Sequence, residues 1–143
     1  MSLPQPRNSQ VQVLVVDDQI VVRHLFVLQL DKLGIKADSA ADGLEALSRV
    51  QSGKYQIIFM DIQMPGMDGL QATAAIRLFE KEKRLGRIPI VAVTAGGTSK
   101  EFALKAGMDD YIMKPVKIEQ VEMVLSQWAP EVLNPSLDRL LGG

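Results

Sequence analysis

The sequence predicts an α/β protein: a five-stranded parallel sheet, doubly wound, with helices on both faces. Three observations predict it. Short apolar, β-branched segments alternate along the chain with segments whose apolar residues recur at helical spacing. Stretches such as VQVLVV and IPIVAV are apolar with little alternation, the pattern of strands buried on both faces. Glycines stand where helices should stop, at Gly34, Gly53 and Gly107.

The elements follow in order. Residues 11–16 read as the first strand, ended by Asp17-Asp18. Residues 19–33 read as a helix, with Val22, Leu25, Phe26, Leu30 and Leu33 as a sufficient core stripe. Ile20, Val21, Val27 and Leu28 are apolar beyond that need. Residues 35–40 form a weaker strand, and Asp42-Gly43 opens a helix through Val50. Residues 56–61 are the third strand, an apolar run that closes on a carboxylate, Asp61. Pro65-Gly66 then bends the chain. Met64 and Met67 fill gaps around that bend, and Asp68 caps a helix running from Leu70 to about Lys83. Residues 88–93 are the fourth strand, and the loop 94–98 leads to a short helix over 99–106. Residues 110–113 are the fifth strand and 116–128 the last long helix.

Composition narrows the function classes. A chain of 143 residues suits one domain. A net charge of −1 speaks against nucleic acid or membrane held by bulk charge, and no apolar run is long enough to span a bilayer. With no cysteine, disulfides, thiol catalysis and cysteine-ligated metals are excluded. The start, MSLPQPRNSQ, lacks a signal-peptide core and reads as a disordered lead or cloning remnant over 1–10. The domain is expected over 11–128. Residues 129–143 are expected to be a tail or linker, with a short helix from Asn134-Pro135 as one reading.

In open parallel sheets, ligands bind beyond the carboxyl ends of the strands. Here those ends carry Asp17-Asp18, Asp61, Thr94 and Lys114. Three carboxylates drawn to one edge repel one another. A hard divalent cation relieves that repulsion, with Mg²⁺ as the first expectation and Mn²⁺ as the alternative. Asp61 is then the natural nucleophile, since carboxylates form acyl phosphates. Lys114 can pair with a phosphate oxygen, Thr94 can donate to another, and the bend at Pro65-Gly66 frees the Gln63 backbone carbonyl as a metal ligand.

The stretches VLVVDD, FMDIQMPGMDG, IVAVTA and AGMDDYIMKP, in this order between about Val11 and Trp128, resemble the receiver domain of two-component response regulators, most of all the receivers of hybrid sensor histidine kinases. The resemblance implies a flavodoxin-like fold with strand order 2-1-3-4-5. It implies Asp61 as phospho-acceptor, with Asp17, Asp18, Asp61 and the Gln63 carbonyl around Mg²⁺. Thr94 and Lys114 would contact the phosphoryl group, Thr94 and Tyr111 would form a conformational switch, and Lys114-Pro115 would be a cis peptide. The donor would be a phosphohistidine on a histidine kinase or histidine-phosphotransfer domain, in the cytoplasm. Across the family the positions held here by Gln63 and Gly96 tune the lifetime of the acyl phosphate.

The surplus apolar residues of the first helix suggest a docking face for that donor at Val21, His24 and Leu28; a deeper core or a covering tail is the competing reading. Self-phosphorylation and self-dephosphorylation chemistry is expected rather than a stand-alone enzyme. A weak dimer is compatible, whereas direct contact with nucleic acid or membrane is not expected. Two other readings stay open. One is a degenerate receiver acting as a non-phosphorylated interaction module. The other is an aspartate-nucleophile phosphatase, which would want a second aspartate where Gln63 stands.

Overall fold

The computed structural model describes residues 11–133. The expected lead over 1–10 and the expected helix start at Asn134-Pro135 lie outside the described residues. Five parallel strands, β1 (Val13–Val16), β2 (Ala37–Ala40), β3 (Ile57–Asp61), β4 (Ile90–Thr94) and β5 (Asp110–Met113), form one sheet in the order β2-β1-β3-β4-β5. The helices are α1 (Ile20–Lys32), α2 (Gly43–Ser52), α3 (Gly69–Lys83), α4 (Lys100–Lys105), α5 (Ile118–Trp128) and α6 (Pro130–Leu133). None of them is long and apolar enough to cross a membrane.

Side chains along a strand point alternately to the two faces, and the core divides accordingly. Val13, Val15, Ile57, Phe59, Val91, Val93 and Ile112 pack with Phe26 and Leu30 of α1 and with Val121 and Leu125 of α5. Leu14, Val16, Ile58, Met60, Ile90 and Ala92 pack with Ala46 and Val50 of α2, Ala72 and Ile76 of α3 and Ala103 of α4. By the same alternation Asp17, Asp61 and Lys114 fall on the α1/α5 face, whereas Thr94 and Tyr111 fall on the α4 face.

Register completes the placement. Val16 pairs with Met60, so Asp17 and Asp61 leave neighbouring strands at one level. Asp61 pairs with Val93, Val93 with Ile112 and Thr94 with Met113, which puts Thr94 one step and Lys114 two steps beyond the level of Asp61. Asp68 caps α3 as its position suggested, in a capping box with Gln71: each side chain accepts from the other's backbone N–H.

Two features differ from the sequence expectation or add to it. Leu25, assigned above to the core stripe, is 54 % exposed. Phe26 and Leu30 of the same stripe are buried, with Leu33 and the surplus Val27 packed beside them; α1 is apolar around most of its circumference, so spacing alone could not separate Leu25 from Val27. Beyond Trp128 the packed structure continues. Ala129 and Val132 are buried in the α1/α5 cluster, and α6 carries Val132 into place. A Val132→Ala change removes two buried carbons, so it should cost about 1–2 kcal/mol, whereas Glu131→Ala should stay within about 0.5 kcal/mol; urea unfolding of both variants checks this.

Candidate functional site

The carboxyl edge of the sheet gathers Asp17 and Asp18 after β1, Asp61 at the end of β3, Thr94 at the end of β4 and Lys114 after β5. One carboxylate oxygen from each of Asp17, Asp18 and Asp61 lies within 4.8 Å of the others. Asp17 and Asp61 are buried, and Asp18 is half-buried. The Lys114 ammonium enters this cluster, with Nζ 2.9 Å from Asp17 Oδ2 and 3.5 Å from Asp61 Oδ1. One positive charge against three negative ones leaves the edge short of cations. Three convergent hard oxygens are the donor set that Mg²⁺ takes, so the residues present fit such an ion.

Electrostatics follow from this crowding. Burial pushes the Asp61 carboxyl up from 3.8 to about 6, the Asp17 charge adds to the rise, and Lys114 and the Gln63 backbone N–H oppose it. Burial works against the Lys114 ammonium. The hydrogen bond and charge of Asp17, with the charge of Asp61, outweigh that effect and hold its pKa above the ordinary lysine value.

The backbone beneath Asp61 has a requirement that the sequence did not reveal. Gly69, the residue that follows the Asp68 cap, runs directly against β3. A Cβ there would stand 2.2 Å from the Asp61 carbonyl oxygen and 2.8 Å from Ile62 Cα, and the Gly69 N–H donates to the Ile62 carbonyl at 2.8 Å. Only a glycine lets α3 start so close to the acidic strand.

The remaining residues take these places. The Thr94 hydroxyl is buried and donates to the Gly96 carbonyl at 3.1 Å. The Tyr111 hydroxyl donates to the Thr98 carbonyl at 2.6 Å, in the loop before α4, and not to Thr94. The Gln63 side chain is exposed and its amide donates to the Gly96 carbonyl at 3.4 Å. The Lys114-Pro115 peptide is cis. Val21 and Leu28 of α1 are 69 % and 43 % exposed, and His24 lies exposed between them. Ile20, one of the surplus apolar residues of the sequence, and Leu25, which the sequence assigned to the core, widen that apolar face. A groove of about 390 Å³ adjoins it, lined by Val22, Leu25, Phe26 and Gln29 of α1 and by Pro115 and Val116 beside Lys114.

The family model for the response regulator receiver domain matches residues 13–126, most of the chain. The chain belongs to the response regulator receiver family. Receivers of this family serve two-component and phosphorelay signalling. Among its relatives, the sensor protein GacS of Pseudomonas syringae pv. syringae is 39 % identical over 131 residues, covering 90 % of this chain and 14 % of the relative. Hybrid signal transduction histidine kinase G of Dictyostelium discoideum is 38 % identical over 130 residues, covering 88 % of this chain and 4 % of the relative. The receiver thus spans only a small part of the kinases it matches.

Solved receivers share the fold. The Ssk1 receiver domain of Saccharomyces cerevisiae, crystallised with the histidine phosphotransfer protein Ypd1, superposes with a TM-score of 0.79 at 30 % identity, covering 85 % of this chain and 90 % of that one. The receiver domain of sensor histidine kinase PA1611 from Pseudomonas aeruginosa PAO1 superposes with a TM-score of 0.73 at 34 % identity, covering 82 % of this chain and 96 % of that one. That structure holds a magnesium ion coordinated in its active-site cleft.

Two predictions follow from this geometry. Gly69→Ala forces the α3 start away from β3 and should cost about 1–3 kcal/mol, read by urea unfolding. The second concerns Asp61 without metal. Its folded-state pKa of about 6 exceeds its ordinary value, so its contribution favours the fold below about pH 4 and is lost as pH rises through about 6. In EDTA, Asp61→Asn should therefore stabilise the receiver at pH 7.5, with an upper bound on the order of 3 kcal/mol, and the gain should vanish near pH 4. Thermal melts across that range check the sign.

Proposed function

We propose that this receiver takes a phosphoryl group from a phosphohistidine onto Asp61 with Mg²⁺ and changes conformation in response. The observation that carries the reading is the buried Asp61 carboxylate, grouped with two more carboxylates and paired to Lys114 at the carboxyl edge of the sheet.

Asp17, Asp18, Asp61 and the Gln63 backbone carbonyl are the groups that would hold the ion. When bound, Mg²⁺ neutralises charge on the carboxylates and on the incoming phosphoryl oxygens. The chain's own residues do the rest. An Asp61 carboxylate oxygen attacks phosphorus in line with the leaving imidazole, so a P–O bond forms as the P–N bond breaks. The freed imidazole nitrogen keeps the bonding pair and takes up a proton. Lys114, already 3.5 Å from Asp61, provides a fixed positive charge for the transferred oxygens. Thr94 would leave the Gly96 carbonyl to donate to the phosphoryl group, and Tyr111 would leave the Thr98 carbonyl and turn toward the space Thr94 vacates. The loop before α4 loses a tether in that exchange, which biases a two-state change on the α4 face. The reading places residues 11–128 as the receiver proper, in the cytoplasm, with 129–133 packed onto it.

The donor is a histidine kinase or a histidine-phosphotransfer domain. The exposed apolar face of α1 supports the earlier assignment of Val21, His24 and Leu28 to docking, because it lies beside the acidic edge and large exposed apolar surface marks partner sites. The crystallised Ypd1–Ssk1 pair is a precedent of the same two kinds of domain.

Intact mass after acetyl phosphate tests the acceptor. One phosphoryl adduct is expected with Mg²⁺, and none in EDTA or in Asp61→Ala; an adduct that survives Asp61→Ala would overturn the assignment. For docking, Val21→Lys combined with Leu28→Lys should slow transfer from a phosphorylated histidine-phosphotransfer domain at least about tenfold, with acetyl phosphate labelling unchanged. An unchanged transfer rate removes the docking face.

A further inference from the structure

Arg23 lies in the first turns of α1, within reach of an edge that carries three carboxylates. Yet its Nη1 donates at 2.8 Å to a neutral group, the backbone carbonyl of Asp17. That carbonyl belongs to the peptide joining Asp17 to Asp18, the two acids expected to face the cation. Resting on the Mg²⁺ reading above, we propose that Arg23 is a positioning residue for the cation site: it fixes the plane of the Asp17–Asp18 peptide and thereby the relative aim of the two carboxylates.

Every other polar atom of Asp17 is also engaged. Its N–H donates to the Ala40 carbonyl at 3.1 Å, the last rung toward β2. Its Oδ1 accepts from the Gln19 N–H at 2.9 Å, and its Oδ2 faces Lys114 Nζ at 2.9 Å. Past the last paired residue of β1 no neighbouring strand is left to bind the Asp17 carbonyl, and the guanidinium takes that place. Asp18 differs. Its carboxylate has no hydrogen bond or ion pair among the described residues, so its direction is set by the backbone it hangs from. The Arg23 contact is the hydrogen bond that holds this backbone from the helix side. Groups that orient a ligand without touching the metal commonly change metal affinity about tenfold or more when removed.

The charge of Arg23 makes the assignment testable by sign. A guanidinium beside a dication site opposes cation binding through Coulomb repulsion. Removing the charge alone tightens Mg²⁺ binding, whereas removing the positioning weakens it. Calorimetric titration of the whole chain with MgCl₂ alone, without phosphodonor, separates the two. Arg23→Met is expected to bind Mg²⁺ about tenfold more weakly than wild type. Arg23→Lys, which keeps a charged donor at shorter reach, should recover part of that loss, and melts in EDTA should show both variants folded. Should Arg23→Met not fold, Arg23→Gln replaces it with the same expectation. Equal or tighter binding in the neutral variant overturns the assignment. A wild-type chain that gives no Mg²⁺ heat removes the metal reading itself and the role of Arg23 with it. Wild-type binding that the variants leave unchanged removes Arg23 alone.

Discussion

The ion pair between Lys114 and the two buried carboxylates is the interaction on which the site depends. Asp17 and Asp61 leave adjacent strands at the same level, and burying two carboxylates side by side is costly without a counter-ion close by. Lys114 supplies one from β5, two strands away from β3 across β4. The pairing only partly compensates, as the raised Asp61 pKa shows. An edge left short of positive charge attracts cations. The fold therefore stores at this point some electrostatic cost that ligands can relieve.

The rest of the structure can be understood as what holds that cluster in place. The two-sided core fixes the sheet, and the register fixes which residues emerge at its edge. Gly69 lets α3 begin against the Asp61 backbone, and the Asp68–Gln71 capping box anchors the same start. Arg23 and Gln19 hold Asp17 from the side of α1. The α4 side is held more lightly. Thr94 bonds to Gly96 within its own loop, and Tyr111 reaches the loop through one hydroxyl contact to Thr98. Acids held by several contacts on one face of the sheet and single hydroxyl contacts on the other are what the proposed switch would use.

The strands were legible because a parallel sheet buried on both faces demands continuous apolar runs, and Val13–Val16 and Ile90–Thr94 meet that demand. The site was legible because such a sheet brings strand ends together, so the sequence alone groups Asp17, Asp18, Asp61, Thr94 and Lys114. The inner face of α1 was legible in part: Phe26, Leu30 and Leu33 pack inward as the stripe predicted, but Leu25, as apolar as the residues that bury, stays exposed. Three further features depend on distances that sequence does not carry. The burial of Glu80 rests on Arg77 and the Ile88 N–H meeting its carboxylate. Gly69 is required by a neighbouring strand, and Arg23 acts on a backbone carbonyl, which has no sequence signature.

Reductive trapping tests the central claim most directly. An acyl phosphate on a carboxylate is reduced by borohydride to the alcohol, so the phosphorylated aspartate becomes homoserine and can be located by peptide sequencing. After treatment with acetyl phosphate and Mg²⁺, homoserine is predicted at position 61 and nowhere else. Homoserine at position 17 or 18, or none in protein that carries a phosphoryl adduct, would contradict the assignment of Asp61 as the acceptor.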